Sequence, residues 1–407
     1  MKRLLFVIFV IFSQTLLQGQ TFSDLRDYIA ERFVDSTGRE VVKVIVPGKP
    51  PDNFRMPVAS PTRGSVVLSD VPGYSWSFGC SPTAAAMMTG YYDRTGYSNM
   101  YTGPTNGGIA PLDNSSWGSV VINGETRSQC PISATRNGVD GRATRGHVDD
   151  YWVSYGSSNP DPYITNGWTQ HIYGDCTGDY MKTNQSAYNN TDGSTWFYYI
   201  ENGSPYSGPG NYNDDGLYGL KQFFQSRGYS VVGFFTQLIL GYGGNIFGFT
   251  FAQYKQEIDA GRPVLIQVVG HTMLGYGYND AGSTIYLHDT WDYSEHSMTW
   301  GGYYSTMQHW GVGVIQLSCS APAQPGVISG PTPVCQNTTN TYGISEVTGA
   351  TSYTWTLPSG WSGSSTTTSI NALAGSGGGN ITVAANNSCG SGPSRTKSVN
   401  VEALTAS

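Results

Sequence analysis

Cys80 stands in Gly79-Cys80-Ser81-Pro82-Thr83, just ahead of the small, apolar run Ala84-Ala85-Ala86-Met87-Met88. A cysteine at the mouth of a helix can react as a thiolate, because the positive end of the helix dipole lowers its pKa. Backbone N–H groups at the same helix start are the donors that an acyl-transfer oxyanion needs. Such a nucleophile requires a base beside it and a third group to orient that base. His271, in Gly270-His271-Thr272-Met273, directly follows the apolar run Val264 to Val269 and is the candidate base. Asp289, in Ile285-Tyr286-Leu287-His288-Asp289-Thr290-Trp291, is the candidate orienting acid, with His288 and Asp292 as neighbours that could compete. Alternation along a strand places His288 and Asp289 on opposite faces, so only one of the two can point at His271.

Positioning these groups calls for one helix and a later sheet. The clearest helix runs from Ala84 to Tyr92, with Ser81 as a cap, Pro82 suited to the first turn and Gly90 near the end. Further helical patterns cover Gly216 to Gln225 and Phe251 to Asp259, the latter stopped by Gly261 and Pro263. Short β-type runs then crowd together at Val264 to Val269, Met273 to Tyr278, Ile285 to His288 and Val312 to Leu317. Helix first and sheet later reads as an α+β domain over residues 66–320. The apolar stretch from Val231 to Phe251 is interrupted by Gln237, Gly241, Gly243, Gly244 and Asn245, so it reads as core strand and turn.

The segments Trp76 to Met87, Gly261-Arg262-Pro263-Val264, Gly270 to Met273 and His288-Asp289-Thr290-Trp291 together resemble the bacteriocin-processing type of cysteine peptidase, within the papain superfamily. The resemblance covers residues 67–317. It implies a papain-like fold and hydrolysis of peptide bonds in protein or peptide substrates through a thioester, with Cys80, His271 and Asp289 as the triad. Relatives place a glutamine about six residues before the nucleophile to donate to the oxyanion, and Tyr74 stands there in this chain. Ser75, Trp76 and Ser77 are nearby donors. Amidase or transpeptidase chemistry on cell-wall peptides would use the same triad. A non-catalytic surface-binding protein would retain the fold and lose the donor.

The chain of 407 residues has room for two domains with sizeable cores. Its formal charge of −7, with no basic stripe, argues against nucleic acid as the main partner. Met1-Lys2-Arg3 followed by the apolar run Leu4 to Phe12 reads as a secretory signal peptide, cleaved near residue 20. No other segment has the length and purity to span a membrane, so a secreted, extracellular or surface protein is expected. Export implies oxidising conditions and disulfides, with Cys335–Cys389 the best pair and Cys130–Cys176 the next, which leaves Cys319 over. Residues 21–65 carry a short amphipathic pattern around Phe22 to Ile29 and a strand-like run, Val41 to Val46. Five prolines from Pro47 to Pro61 follow, so the segment is either a propeptide over the active site or a surface extension.

After the linker Ala321 to Gly326, charge nearly vanishes and short alternating runs appear at Tyr353 to Leu357, Ile381 to Val383 and Val399 to Val401. These predict a small all-β, immunoglobulin-like sandwich over residues 321–407. Cys335, Tyr353-Thr354-Trp355, Pro358-Ser359-Gly360-Trp361 and Asn386 to Gly390 resemble PKD-like domains of secreted bacterial enzymes, which implies a unit that binds a surface glycan or protein, or acts as a spacer. The clusters at 146–152 and 161–163 read as parts of a stabilising insertion. Asn211 to Gly216 has a faint calcium-loop look, but Gln222 occupies the bidentate glutamate position, so a plain turn is expected. The histidines lack zinc-site spacing; no metal and no cofactor are expected.

Overall fold

The computed structural model describes residues 25–48, 66–122, 125–134, 176–183, 193–208, 214–318, 321–387 and 389–402. The expected signal peptide, Cys319 and the clusters at 146–152 and 161–163 lie outside the described residues. Two compact units are present, the larger ending at Leu317 and the smaller beginning at Ser318 and taking in Tyr92–Asn99.

The larger unit begins with β1 (Ile29–Val34), β2 (Glu40–Val46), β3 (Val66–Val67), α1 (Cys80–Arg94), β4 (Ser119–Ile122), β5 (Glu125–Ser128) and α2 (Thr177–Tyr180). It continues through β6 (Thr195–Ile200), α3 (Gly216–Ser226), β7 (Val231–Leu238), α4 (Phe251–Asp259), β8 (Val264–Val268) and β9 (His271–Asn279). The last strands are β10 (Thr284–His288), β11 (His296–Thr299), β12 (Tyr303–Tyr304) and β13 (Met307–Leu317). An antiparallel sheet runs in the order β11-β10-β9-β8-β13-β12, with β3 pairing β9 and β7 pairing β13. Every residue of β8 is buried, which explains why Val264-Leu265-Ile266-Gln267-Val268 reads as an almost unbroken apolar run rather than an alternation.

α1 is the buried helix the sequence called for, but it starts at Cys80 and not at Ala84. Ala84, Ala85, Ala86, Met87 and Met88 are all fully buried, since small side chains let neighbouring elements close around the helix on every side. Ser81 lies inside the first turn and does not cap the helix; Thr83 Oγ1 instead donates to the Gly79 carbonyl at 2.6 Å. α3 and α4 fall where expected, and each has a capping side chain. Asp215 Oδ1 accepts from Leu217 N at 2.8 Å, while Thr250 and Gln253 form a reciprocal capping box. Asp214 binds Lys43 Nζ at 2.8 Å and Tyr198 Oη at 2.7 Å, so both acids of the calcium-like stretch have protein partners.

The amphipathic pattern near Ile29 does not give a helix. Arg26–Tyr28 is a single 3-10 turn, and β1 follows directly. β2 pairs with β1 on one side and with β6 on the other, in a register running from Val41 opposite Ile200 to Val46 opposite Thr195. Val41, Val42, Val44 and Val46 are buried. This part of the N-terminal extension is therefore an internal strand of the unit and not a loose surface segment.

The smaller unit is all-β. β14 (Val334–Cys335), β15 (Thr339–Gly343), β16 (Ser352–Thr356), β17 (Ser369–Leu373), β18 (Gly379–Asn387), β19 (Gly390–Ser391), β20 (Arg395–Val399) and β21 (Val401–Glu402) make small sheets. The largest runs β16-β18-β19 with β20 on β18, and β15 pairs β17. Tyr342, Ile370 and Ala372 from one sheet share a core with Tyr353, Ile381, Val383, Ala385 and Val399 from the other, as a sandwich requires. The expected Cys335–Cys389 bridge is absent, because Cys335 is an exposed thiol on β14. β14 pairs with β21, whereas Cys389 sits at the β18–β19 turn, so the two cysteines belong to different sheets. Cys130 and Cys176 are both buried and do not form the second expected bridge.

Phe78 at φ 58° and Gly79 at φ 132° make the sharp turn that delivers the chain into α1. A Cβ on Gly79 would meet the Gly193 carbonyl oxygen and Pro82 Cγ at 2.8 Å. Gly79→Ala is expected to lower the unfolding free energy by about 1–3 kcal/mol, measured by urea denaturation.

Candidate active site

Cys80 is the first residue of α1, His271 the first of β9, and Asp289 follows the last residue of β10. All three are fully buried. The helix and the sheet are joined one residue further along each element. Ser81 Oγ and Thr272 Oγ1 lie 2.7 Å apart, and Thr272 Oγ1 donates to Gln267 Oε1 at 2.8 Å. A hydroxyl has a single proton, so Ser81 donates to Thr272, which donates to Gln267. This relay fixes the start of α1 against the start of β9 and so brings the neighbourhoods of Cys80 and His271 together.

β9 begins after the two-residue turn Val269-Gly270, in which Gly270 has φ 76° and Val268 pairs with His271. Imidazole orientation is set by main chain. His271 Nε2 lies 2.8 Å from the Asp289 carbonyl oxygen, so Nε2 carries the proton and Nδ1 presents its lone pair. Nδ1 is buried and has no hydrogen-bond partner. Trp291 stacks on the ring, with centroids 3.9 Å apart and planes 14° from parallel.

The carboxylate of Asp289 faces other partners. Oδ2 accepts from Tyr304 Oη at 2.6 Å, Oδ1 accepts from Trp291 N at 2.9 Å, and His296 Nε2 lies 3.4 Å from Oδ2. His296 Nε2 also reaches Asp292 Oδ1 at 2.9 Å. Donor atoms of Asp289, Asp292 and His296 lie within 4.8 Å of one another, a geometry that could hold a metal ion, although each group already has a protein partner. Thr290, at φ 70°, holds the left-handed conformation that turns the Asp289 carbonyl toward His271 and its carboxylate away. His288 is turned away from His271; it stacks on Tyr276 at 4.7 Å and its Nδ1 bonds the Ser294 carbonyl at 3.1 Å. Tyr304 and His296 carried no motif signal, because their contact with Asp289 arises only when β11 pairs with β10 and the chain returns through Tyr304 to the Asp289 carboxylate.

Of the residues just before Cys80, Tyr74 directs its hydroxyl to the Pro111 carbonyl at 2.9 Å and packs edge-on against Trp117. Ser75 Oγ donates to the Trp291 carbonyl at 3.4 Å, which links the loop before Cys80 to the loop after Asp289. Ser77 Oγ is buried without a partner. Trp76 Nε1 donates to the Gly48 carbonyl at 2.6 Å, and Cys80 Sγ donates to the Pro47 carbonyl at 3.3 Å. Neither Pro47 nor Gly48 was a candidate from sequence, where they read only as the start of a proline-rich stretch.

Burial sets the charges. It pushes the Cys80 thiol up to about 11, against the backbone N–H groups of Thr272 and Ser81. It brings His271 down to about 3, against the hydrogen bond to the Asp289 carbonyl. The same cause brings His288 down to about 4 and His309 down to about 3. In each case the unfolded chain takes up a proton below about pH 6.5 while the folded chain stays neutral. Stability is therefore fullest above about pH 6.5 and falls as the pH drops toward the folded values, by up to about 1.4 kcal/mol per pH unit for each histidine. Urea midpoints between pH 7 and pH 4 should show this slope, and His309→Leu should remove about one proton's share of it.

Among the described residues no helix is long and apolar enough to cross a membrane. A comparison with curated proteins finds no match. The C-terminal unit matches the PKD-like domain over residues 321–401. The match to the Peptidase_C39 like family runs over residues 68–309, from just before the turn into α1 to the start of β13, and takes in the whole Cys80–His271–Asp289 constellation. The chain belongs to the Peptidase_C39 like family and carries a C-terminal PKD-like domain.

Proposed function

We propose that the protein is an exported cysteine peptidase that hydrolyses peptide bonds in protein or peptide substrates, with Cys80 as nucleophile and His271 as base. The observation that carries this reading is the 2.7 Å bond between Ser81 and Thr272, the residues next in chain to the nucleophile and to the base. Family membership supports the cysteine-peptidase class. The leader-like run Met1 to Phe12 is the basis for export.

In the proposed reaction the thiol proton passes to His271 Nδ1, the ring atom left with a lone pair and no partner. The sulfur electron pair attacks the substrate carbonyl carbon, and backbone N–H groups at the start of α1 receive the oxyanion. The C–N bond then breaks, the amine leaves with the proton from His271, and a thioester remains on Cys80. Water, deprotonated by His271, attacks the thioester and releases the acid and the thiol. The carbonyl of Asp289 holds the ring by Nε2–H throughout, and stabilises it when protonated.

This assignment distinguishes the three residues. Cys80→Ala and His271→Ala are expected to lower kcat/KM on a denatured protein substrate at least about a thousandfold with the fold intact. Asp289→Asn keeps the main-chain carbonyl and is expected to cost only about tenfold. A loss in Asp289→Asn as large as that in His271→Ala would show that the carboxylate, not the carbonyl, is the orienting group. Undiminished hydrolysis by Cys80→Ala would remove the peptidase assignment.

A further inference from the structure

The last residue of β2, Val46, is paired with Thr195, and the chain then leaves the strand through Pro47, which has no N–H with which to continue the ladder. The next two carbonyls both end on groups around the nucleophile. That of Pro47 accepts from Cys80 Sγ at 3.3 Å and that of Gly48 from Trp76 Nε1 at 2.6 Å. Cys80 is left with no exposed surface, and His271 Nδ1 is left buried with no partner. An S–H donor makes a weak hydrogen bond, while an orphaned buried imidazole nitrogen costs about 1–3 kcal/mol. The thiol is thus held away from its better acceptor by the pairing of β2, whose buried valines anchor the segment from outside the site.

We propose that Pro47–Gly48 is a built-in occupant of the substrate cleft, lying where the main chain of a substrate peptide lies, and that Trp76 is the residue that binds a substrate carbonyl there. This rests on the peptidase reading above. Two consecutive carbonyls, one on the nucleophile and one on a fixed indole N–H, are what a bound peptide backbone presents. Tyr74 cannot serve in that role while its hydroxyl is committed to Pro111. The enzyme is latent in this conformation: its thiol is protonated, its base neutral, and neither bonds the other. Departure of the two residues admits peptide and water, and frees the thiol proton for His271.

The test uses the full chain, with alkylation by iodoacetamide followed at each cysteine by mass spectrometry and exposed Cys335 as internal reference. In the intact chain Cys80 is expected to react at least about a hundredfold more slowly than Cys335. Trp76→Phe, which keeps an aromatic ring, though a smaller one, and loses the donor, should raise the Cys80 rate about tenfold. A specific protease site inserted after Gly48 and cut in the folded protein should do the same, and decides the matter if Trp76→Phe does not fold. In the cut protein Trp76→Phe should act in the opposite sense, raising KM for a peptide about tenfold with kcat little changed. Unchanged Cys80 reactivity on cutting, or equal and measurable hydrolysis by cut and uncut chains, would overturn the occupant. An unchanged KM would overturn the role of Trp76. Exposure of Cys80 on cutting with no hydrolysis would leave the occupant standing and remove the peptidase reading instead.

Discussion

The hydrogen-bond relay from Ser81 through Thr272 to Gln267 is the constraint on which the site depends. All three side chains are almost wholly buried, and in a low-dielectric interior such a relay is strong when complete and costly when broken. It crosses from the helix to the sheet at the turn of α1 that carries Cys80. Apolar packing alone would leave a helix of alanines and methionines free to slide or rotate by a fraction of a residue, because dispersion contacts have little directionality. The relay removes that freedom one residue away from both Cys80 and His271.

A second constraint acts on His271 from the opposite side. Nε2 of His271 is held by a main-chain carbonyl, and Trp291 covers the ring face. The Asp289 carboxylate serves this arrangement indirectly: its bonds to Tyr304 and to Trp291 N hold the loop in which Thr290 takes up a left-handed conformation. Orientation by a carbonyl adds no charge beside the imidazole. That agrees with a histidine held well below its ordinary value by burial, with only the carbonyl to pull it back.

The two constraints also account for the electrical neutrality of the site. With Cys80 covered by Pro47 and no cation beside it among the described residues, burial favours the thiol, and burial favours neutral imidazole for the same reason. Separate neutral groups are the stable state of a dry site, whereas a thiolate–imidazolium pair requires the two to meet. The N-terminal strand therefore has two roles in one segment. Its valines complete a three-stranded sheet with β6, and the carbonyls just past its end, those of Pro47 and Gly48, accept from Cys80 Sγ and Trp76 Nε1.

Local pattern determined much of this protein. The apolar and small residues after Cys80, the run Val264 to Val268 and the alternation in the C-terminal strands specified a buried helix, a central strand and a β-sandwich, since periodicity and side-chain size act over neighbouring residues. The start of α1, by contrast, depended on a φ 132° turn closed by Gly193, far away in sequence. Ser81 looked like a helix cap and became a cross-link to Thr272; Asp289 looked like a carboxylate partner and became a carbonyl partner. The extension could have been a propeptide over the active site or an extension packed on the surface, and its strand became part of the sheet while the carbonyl of Pro47, just past that strand, reached the thiol. Residue type and order singled out Cys80, His271 and Asp289 as candidates for chemistry. Which atom of each group faces which partner was decided only in the tertiary structure, because hydrogen-bond direction depends on loops that close across long stretches of chain.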